Sequence, residues 1–373
     1  MKILAIETSC DDTGISIMEA KKPASRQGGT GKSDVFNILA NNVNSQVKIH
    51  AEYGGVFPSL AKREHQINLP ILFEKTLKDA KTKIEKIDMI AVTYGPGLEP
   101  ALWTGIVFAK EISQKYNIPI VPVNHMEGHM FSIFPGKGKT FKIDSDKKIF
   151  PMLSLLVSGG HTELILIKDW FKYKKIGQTR DDAAGEAFDK VARMLGLSYP
   201  GGPEISRLAN IERSDGNNTL SEIPAITLPR PMIHSKDYDF SFSGLKTAVL
   251  YLIRDLKEKK PNILDSDDIK KKIACEFENA VVETLVHKTL KAIKQYKIVT
   301  LIVGGGVSAN DYLQKIMSQK IKEDKLKTKT HFPLKSLTGD NAIMIGIAGY
   351  FGYKNKKFVK KLDSIKAEGN LSF

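Results

Sequence analysis

Cysteine is nearly absent from this chain of 373 residues, which contains only Cys10 and Cys275. Two cysteines this far apart form no metal-binding pair, and such sparse use suits a reducing compartment. No segment reaches the roughly 18 apolar residues that a membrane span requires. The apolar start MKILAIE is too short for a secretory signal and runs directly into polar TSCDD. These absences predict a soluble, cytoplasmic protein that makes no contact with a membrane.

Acidic residues are the minority, because 42 of them face 56 lysines and arginines and leave a net charge of +14. A basic chain is attracted to polyanions, and nucleic acid is the first candidate. A lysine-rich but merely solvated surface explains the charge equally well. The basic residues are dispersed, and no arginine-rich or aromatic-interleaved RNA-binding module is visible. The charge therefore suggests nucleic acid as a partner without indicating where it binds.

The pattern of apolar segments predicts a duplicated α/β fold. With 42% hydrophobic residues, the chain is long enough for two domains. A strand–turn–strand opening occurs at 2–18 and again at 150–168, and α/β units follow each of them. Between the two halves we expect a cleft. Periodicity predicts helices over 59–80, 104–116, 181–196, 244–258, 268–296, from about 308 and over about 339–352, with a loop-rich middle over 197–243.

Two glycine-containing turns occupy equivalent places in the two halves. DDTG at 11–14 lies in the first hairpin, and SGGHT at 158–162 lies in the second. Amides in such turns can line an anion-binding concavity, although each turn by itself is also an ordinary hairpin turn. The polar loop over 21–34 contains GGTGKS. Because Arg26 stands where a phosphate-binding loop needs its first glycine, we interpret this loop as a hairpin connection.

A third glycine cluster, VGGGVSAN over 303–310, follows a buried strand and precedes a helix. Its glycines would let a nucleotide approach the backbone at a helix N-terminus, where Asn310 either contacts the nucleotide or caps the helix. Asp189 in EAFDK is a candidate for the cleft, and PGGP at 200–203 is a rigid turn with an accessible backbone. A purely structural role explains each of these features as well.

The segment VPVNHMEGHMFSI over 121–133 holds His125 and His129 at the spacing of one helix face. Two imidazoles placed in this way suit Zn²⁺ or Fe²⁺, provided that a third ligand comes from elsewhere. Asp340 in LTGDNA is a candidate, and capping of the last helix is its alternative role. Glu127 does not directly follow the first histidine, as the HExxH motif of metalloproteases requires, and this argues against a peptidase.

Ten motifs run in order over nearly the whole chain and together closely resemble the bacterial TsaD family, also called Gcp or YgjD. They are IETSCDDTG, GGVFPSLAKREH, YGPGLEPALWTG, NHMEGH, LLVSGGHTEL, DDAAGEAFDKVARMLG, YPGGP, FSFSGLKTA, GGGVSAN and TGDNAIMI. An ordered set of this kind is far more specific than any single motif. Two departures are the 21–34 loop, which is longer than the family's hairpin, and GGVFPSLAKREH, a variant of the commoner GGVVPELASRAH.

The resemblance implies an ASKHA fold, in which two actin/Hsp70-like, RNase H-like lobes surround a nucleotide cleft. On this basis we expect the first lobe over 1–124 and the second over 125–344. A last helix, over about 345–373, is expected to pack back on the first lobe.

The resemblance also implies an acyltransferase that modifies tRNA. The family transfers threonylcarbamoyl from threonylcarbamoyl-adenylate to N6 of adenosine 37 in tRNAs reading codons that begin with A, and AMP leaves. TsaB-like and TsaE-like proteins are the implied partners. The general base is unidentified, and Glu127 and His161 are only candidates. A small-molecule O-carbamoyltransferase, a kinase of the same fold and a metallopeptidase are the alternatives.

For the site, the resemblance implies one divalent metal per subunit, Fe²⁺ with Zn²⁺ as the alternative, held by His125, His129 and Asp340. The metal would orient the threonylcarbamoyl-phosphate end of the donor and polarise its oxygens, and the amides of SGG would stabilise negative charge. The implied substrate contacts are Leu156, Val157, Ser158, Gly159, Gly160, Asp189, Gly202 and Asn310.

Overall fold

The computed structural model describes residues 1–21, 33–53, 55–131, 136–137, 140–144, 149–215, 226–359 and 361–373. The chain forms two compact units, of which the first comprises Met1–Ile149 with Pro333–Phe373 and the second comprises Phe150–Phe332. These boundaries differ from those expected after residues 124 and 344. The interior of the predicted 21–34 loop, with most of GGTGKS, lies outside the described residues.

A seven-stranded sheet in the order β5-β4-β1-β2-β3-β7-β6 forms the first unit. β1, β4 and β5 pair in parallel, whereas β1, β2 and β3 form an antiparallel meander. Because β7 pairs with β3, the chain remains in this unit well beyond residue 124. The strands are β1 (Lys2–Glu7), β2 (Asp12–Lys21), β3 (Ser33–Ser45), β4 (Met89–Gly95), β5 (Ile120–Asn124), β6 (Gly136–Lys137) and β7 (Thr140–Asp144).

The α-helices among the described residues of the first unit are α1 (Val47–Ala51), α2 (Pro58–Asp79), α3 (Glu99–Tyr116), α4 (His125–Phe131) and α10 (Ala342–Lys354). Apolar α10 lies directly on the sheet, and its glycines make this close approach feasible. A Cβ atom at Gly346 would lie 2.2 Å from Cε of Met18. The expected helix over 345–373 is wrong in its second part, since α10 ends at Lys354 and only a 3-10 turn follows within the described residues.

The second unit contains a five-stranded sheet in the order β10-β9-β8-β11-β12. β8 is antiparallel to β9 and parallel to β11, just as β1 is antiparallel to β2 and parallel to β4. This repeated arrangement agrees with the predicted duplication. The strands are β8 (Met152–Val157), β9 (Thr162–Asp169), β10 (Lys172–Gln178), β11 (Thr300–Gly304) and β12 (Lys329–His331). The helices are α5 (Ala184–Met194), α6 (Gly201–Asp215), α7 (Ser243–Lys259), α8 (Asp267–Tyr296) and α9 (Asp311–Glu323).

Two elements, α6 and β2, differ from the sequence prediction. α6 lies within the segment predicted as loop-rich, and its first turn includes the glycines of PGGP. The carboxylate of Asp189 accepts a hydrogen bond from the amide of Gly201 at 2.7 Å and thereby caps the helix from a distant segment. In the first unit, Asp12 to Gly14 of DDTG belong to β2 rather than to the turn. None of the described helices is both long and apolar enough to cross a membrane.

Candidate functional site

Two imidazoles and one carboxylate converge in the first unit. His125 and His129 are one helical turn apart on α4, which begins directly after β5. Oδ1 of Asp340 lies 3.3 Å from Nε2 of His125 and 3.2 Å from Nε2 of His129. One donor atom from each of the three residues lies within 4.8 Å of the others. This arrangement brings together the three residues that the sequence assigned to a metal.

Close packing of α4 on α10 explains how a residue so distant in sequence joins the pair. A Cβ atom at Gly128 would lie 2.9 Å from Cδ1 of Ile345, so glycine allows the two helices to approach. Asp340 stands just before α10, but it is not the cap of that helix. The side chain of Asn341 accepts the hydrogen bond from the amide of Met344 instead. The carboxylate of Asp340 is therefore available for the histidines.

Glu7, which sequence reasoning missed, completes the surroundings of His125. Its Oε2 lies 3.3 Å from Nδ1 of His125, and it also accepts a hydrogen bond from the Thr93 hydroxyl at 2.5 Å. The Ser9 hydroxyl lies 3.1 Å from the same Nδ1. A carboxylate on the second nitrogen of a ligating histidine fixes the ring and its tautomer. The signal was a charged residue directly after the apolar run ILAI, at the buried end of the strand KILAIE.

The electrostatics of this cluster favour a cation. Burial lowers the pKa of His125, but the carboxylates of Asp340 and Glu7 outweigh it and raise that pKa to about 10. Burial raises the pKa of Asp340, yet the two imidazoles hold it well below its usual range. Burial also raises the pKa of Asp12, to about 7, and the nearby Asp340 contributes to the increase. A buried site with this excess of carboxylates attracts a positive ion, and nitrogen and oxygen donors suit a divalent transition metal.

A pocket of about 390 Å³ in the second unit brings together four of the eight predicted substrate contacts. Gly159, Asp189, Gly202 and Asn310 all line it. The pocket lies between the turn after β8, the start of α6 and the segment that leads from β11 into α9. Glycines at three of these borders leave the backbone accessible to a ligand.

The other four predicted contacts do not line this pocket. Leu156 and Val157 are fully buried in β8, so their side chains cannot reach a ligand. Ser158 and Gly160 lie in the turn that follows. The amide of Ser158 donates to the carbonyl of His161 at 2.8 Å and is therefore already used. Within the described part of the chain, the amides of Gly159 and Gly160 donate to no backbone carbonyl, so they are the groups of SGG that an anion can use.

Asp189 and Asn310 both have structural roles in addition to lining the pocket. Asp189 caps α6, as described above. Asn310 caps α9, because its Oδ1 accepts from the amide of Leu313 at 2.8 Å. Its Nδ2 also donates to Glu278, at 2.6 Å. Glu278 lines the pocket and was not singled out from the sequence.

Comparison with known proteins decides the family. The family model described as "TsaD: tRNA N6-adenosine threonylcarbamoyltransferase" matches residues 37–347. This chain belongs to the TsaD family. The protein named tRNA N6-adenosine threonylcarbamoyltransferase from Thermosipho africanus is 44% identical to it over 371 residues, covering 100% of this chain and 99% of the relative. Proteins of the same name from Dictyoglomus turgidum and Staphylococcus aureus strain Newman are 43% and 39% identical, over 96% and 95% of this chain and 97% and 93% of their own lengths.

Solved structures support the fold alone. HypF from T. kodakarensis aligns with a TM-score of 0.55 and 11% identity over 95% of this chain and 48% of its own. HypF in its phosphate- and nucleotide-bound form aligns with a TM-score of 0.51 and 13% identity, over 95% of this chain and 46% of its own. Together with TsaD family membership, this likeness confirms the ASKHA fold that the resemblance implied.

Proposed function

We propose that this chain is a tRNA N6-adenosine threonylcarbamoyltransferase, which transfers threonylcarbamoyl from threonylcarbamoyl-adenylate to N6 of adenosine 37 in tRNAs reading codons that begin with A. The observation that carries the proposal is the full-length match to relatives bearing this enzyme name. The names of these relatives give no support to a metallopeptidase or a small-molecule O-carbamoyltransferase. The net charge of +14 suits a tRNA substrate.

In this proposal the pocket of the second unit binds the adenylate. The amide of Gly159 borders this pocket and, together with that of Gly160 in the same turn, is suited to a phosphate oxygen. The donor is a mixed anhydride and is already activated. Most of the catalysis therefore comes from positioning and from stabilising negative charge. The N6 amine attacks the carbamoyl carbon and releases a proton to water, while the bond from that carbon to the phosphate oxygen breaks and AMP leaves.

His125, His129 and Asp340 would hold one divalent metal, which supplies Lewis-acid polarisation of the donor's oxygens when it is bound. Fe²⁺ is proposed by resemblance to the family, and the donor set also suits Zn²⁺. Glu7 would keep Nδ1 of His125 occupied, so that Nε2 points toward the metal. Glu127 and His161 are the two candidates for a general base, and the carboxylate of Glu127 lies 3.9 Å from Nζ of Lys357. No residue is assigned that role.

TsaB-like and TsaE-like proteins are proposed partners, on the family resemblance only. A cytoplasmic location is proposed from the sparse use of cysteine, and Cys10 and Cys275 are both free thiols in the structure. The cleft expected between the lobes stays a prediction.

The test is a transfer assay with the purified chain, threonylcarbamoyl-adenylate and unmodified tRNA, followed by nucleoside analysis. We expect threonylcarbamoyladenosine in a tRNA that carries adenosine 37. A matched tRNA with guanosine 37 should give none, because it lacks the attacking N6 amine. Absence of product from the adenosine tRNA, even after addition of the two partner proteins, would overturn the proposal.

A further inference from the structure

A buried carboxylate controls the polar groups at one end of the pocket in the second unit. The side chain of Glu278, on α8, is fully buried, whereas its neighbours Ser206 and Asn310 are half-buried and line the same pocket. One oxygen of Glu278, Oε1, accepts from the Ser206 hydroxyl at 2.6 Å and from Nδ2 of Asn310 at 2.6 Å. The other oxygen, Oε2, accepts from Arg213 at 2.5 Å. Glu278 is thus in contact with every member of this cluster.

The hydrogen-bond directions in the cluster are fixed by chemistry. Arg213 can only donate, and the Glu278 carboxylate can only accept. Nδ2 of Asn310 donates to Glu278, and the same Nδ2 lies 3.0 Å from the Ser206 oxygen. The single hydroxyl proton of Ser206 goes to Glu278. The only donor of the Ser206 side chain is therefore used inside the cluster, and the Ser206 oxygen keeps a lone pair.

We propose that Glu278 is a positioning residue that makes this end of the pocket selective for hydroxyl groups of the ligand. By taking up the hydroxyl proton of Ser206, it leaves the Ser206 oxygen as a hydrogen-bond acceptor at the pocket. A ligand group that donates a hydrogen bond, such as a ribose hydroxyl, fits there. A phosphate group carries only acceptor oxygens and is rejected, so it lies toward the amides of Gly159 and Gly160. The inference rests on the proposed function, because it takes the ligand to be a nucleotide.

Arg213 holds the carboxylate of Glu278 in one orientation. Its guanidinium also donates to Asn279 at 2.8 Å, and it stacks 3.5 Å from the centre of the Tyr312 ring. Held in this way, the guanidinium fixes which oxygen of Glu278 faces the pocket. In Glu278→Gln, the charged guanidinium would keep the amide oxygen, and the amide nitrogen would turn toward Ser206 and Asn310. Their protons would then be released toward the pocket, and its hydrogen-bonding character would be inverted.

The experiment measures the binding of AMP and of 2′,3′-dideoxy-AMP by calorimetry to the full chain. The wild type should prefer AMP by about tenfold or more, because dideoxy-AMP leaves acceptors without donors. Glu278→Gln should reduce this preference to within about threefold, mainly by weakening AMP. In the transfer assay, the KM for the adenylate should rise while the KM for tRNA stays unchanged. A merely structural role for Glu278 would not change the ratio between the two nucleotides.

Glu276→Gln is the matched control. Glu276 lies on the same helix and also forms an ion pair with an arginine, Arg230, but it does not line the pocket. This variant should keep the wild-type preference. Ser206→Ala is a second test that leaves the ion pair intact, and it should also reduce the preference for AMP.

The outcomes distinguish a failure of the role of Glu278 from a failure of the proposed function. An unchanged preference in Glu278→Gln and Ser206→Ala, with AMP still bound, overturns the role of Glu278 and leaves the proposed function intact. A wild type that binds AMP without preferring it to dideoxy-AMP also overturns the inference. A wild type that fails to bind AMP overturns the pocket assignment and this inference with it, whereas the proposed function is tested separately by the transfer assay.

Discussion

Oε2 of Glu7 lies 3.3 Å from Nδ1 of His125, while Nε2 of the same ring lies 3.3 Å from Asp340. The buried imidazole is therefore held between two carboxylates that come from opposite ends of the sequence. Glu7 ends β1, and Asp340 precedes α10, which packs on that sheet. The relationship gives His125 a fixed orientation before any metal binds, and it makes the contribution of Glu7 measurable.

Glu7→Gln should lower metal affinity by about 10- to 100-fold, because the negative charge behind a ligating histidine raises its basicity and fixes its tautomer. The amide keeps the size of the side chain and one acceptor, so the fold should survive. Competition with a chelator gives the affinity. Glu19→Gln, at a half-buried position of the neighbouring strand away from the histidines, is the control. Equal affinities in Glu7→Gln and the wild type would exclude this role.

His129→Ala should remove bound metal and transfer activity together, since two ligands are too few for a tight site. Mass spectrometry of the purified protein gives the metal content. His287→Ala serves for comparison, because His287 also contacts a second histidine, His234, with ring centres 5.4 Å apart. That variant should keep its metal. Full metal content in His129→Ala would disprove the assignment of this ligand.

Gly159→Val should weaken AMP binding by on the order of tenfold or more without loss of fold, because the side chain would fill part of the pocket. A Cβ atom at Gly159 meets nothing within 4 Å, so the protein itself tolerates the substitution. Gly55→Val, where a Cβ atom is equally unobstructed, lies in the other unit and should bind AMP normally. Calorimetry distinguishes the two. Wild-type affinity in Gly159→Val would place the nucleotide elsewhere.

Asp182→Asn should destabilise the second unit at neutral pH by about 1 kcal/mol. Burial raises the pKa of Asp182, but hydrogen bonds from Lys246 at 2.7 Å and Lys190 at 2.9 Å bring it below its usual value. A lowered folded-state pKa stabilises the protein above the unfolded pKa, and this stabilisation is lost as the pH falls through the folded pKa.

Thermal unfolding of Asp182→Asn and the wild type should therefore differ at pH 7 and converge in acid. Asp255→Asn, at an exposed position of α7, should match the wild type throughout. A difference in Tm that does not depend on pH would show that the ion pairs of Asp182 do not contribute in this way.

Binding of tRNA should weaken steadily as salt rises, because lysines and arginines that contact phosphates release counterions. The excess of 14 positive charges motivates this expectation. Filter binding from low to physiological salt, with the chain and its partners, gives the slope. A dissociation constant that does not change over this range would mean that the charge is only a matter of composition.

Local sequence patterns determined most of the elements and two of the three proposed metal ligands. Periodicity identified α2, α5, α7 and α8 nearly to their ends, because apolar residues must lie on one helix face to reach the core. The same rule gave the shared face of His125 and His129, which depends only on their spacing. Asp340, Asp189 and Asn310 were only candidates on the residues alone, and the motif resemblance gave each its role, since no local pattern relates them to the histidines.

Tertiary structure decided which distant groups meet. His125 and Glu7 are 118 residues apart, and Asn310 and Glu278 are 32 apart, so only the path of the chain brings each pair into contact. The sequence gives one indication that Glu278 is buried, because Glu278 shares a helix face with Ala274 and Val281. That spacing does not identify the residues that Glu278 contacts. α6 begins at Gly201 because the Asp189 carboxylate from α5 caps it. Helix propensity along the local sequence does not reveal such a contact. Periodicity thus fixes the face that an element buries, whereas hydrogen bonds between remote segments fix the chemistry of the site.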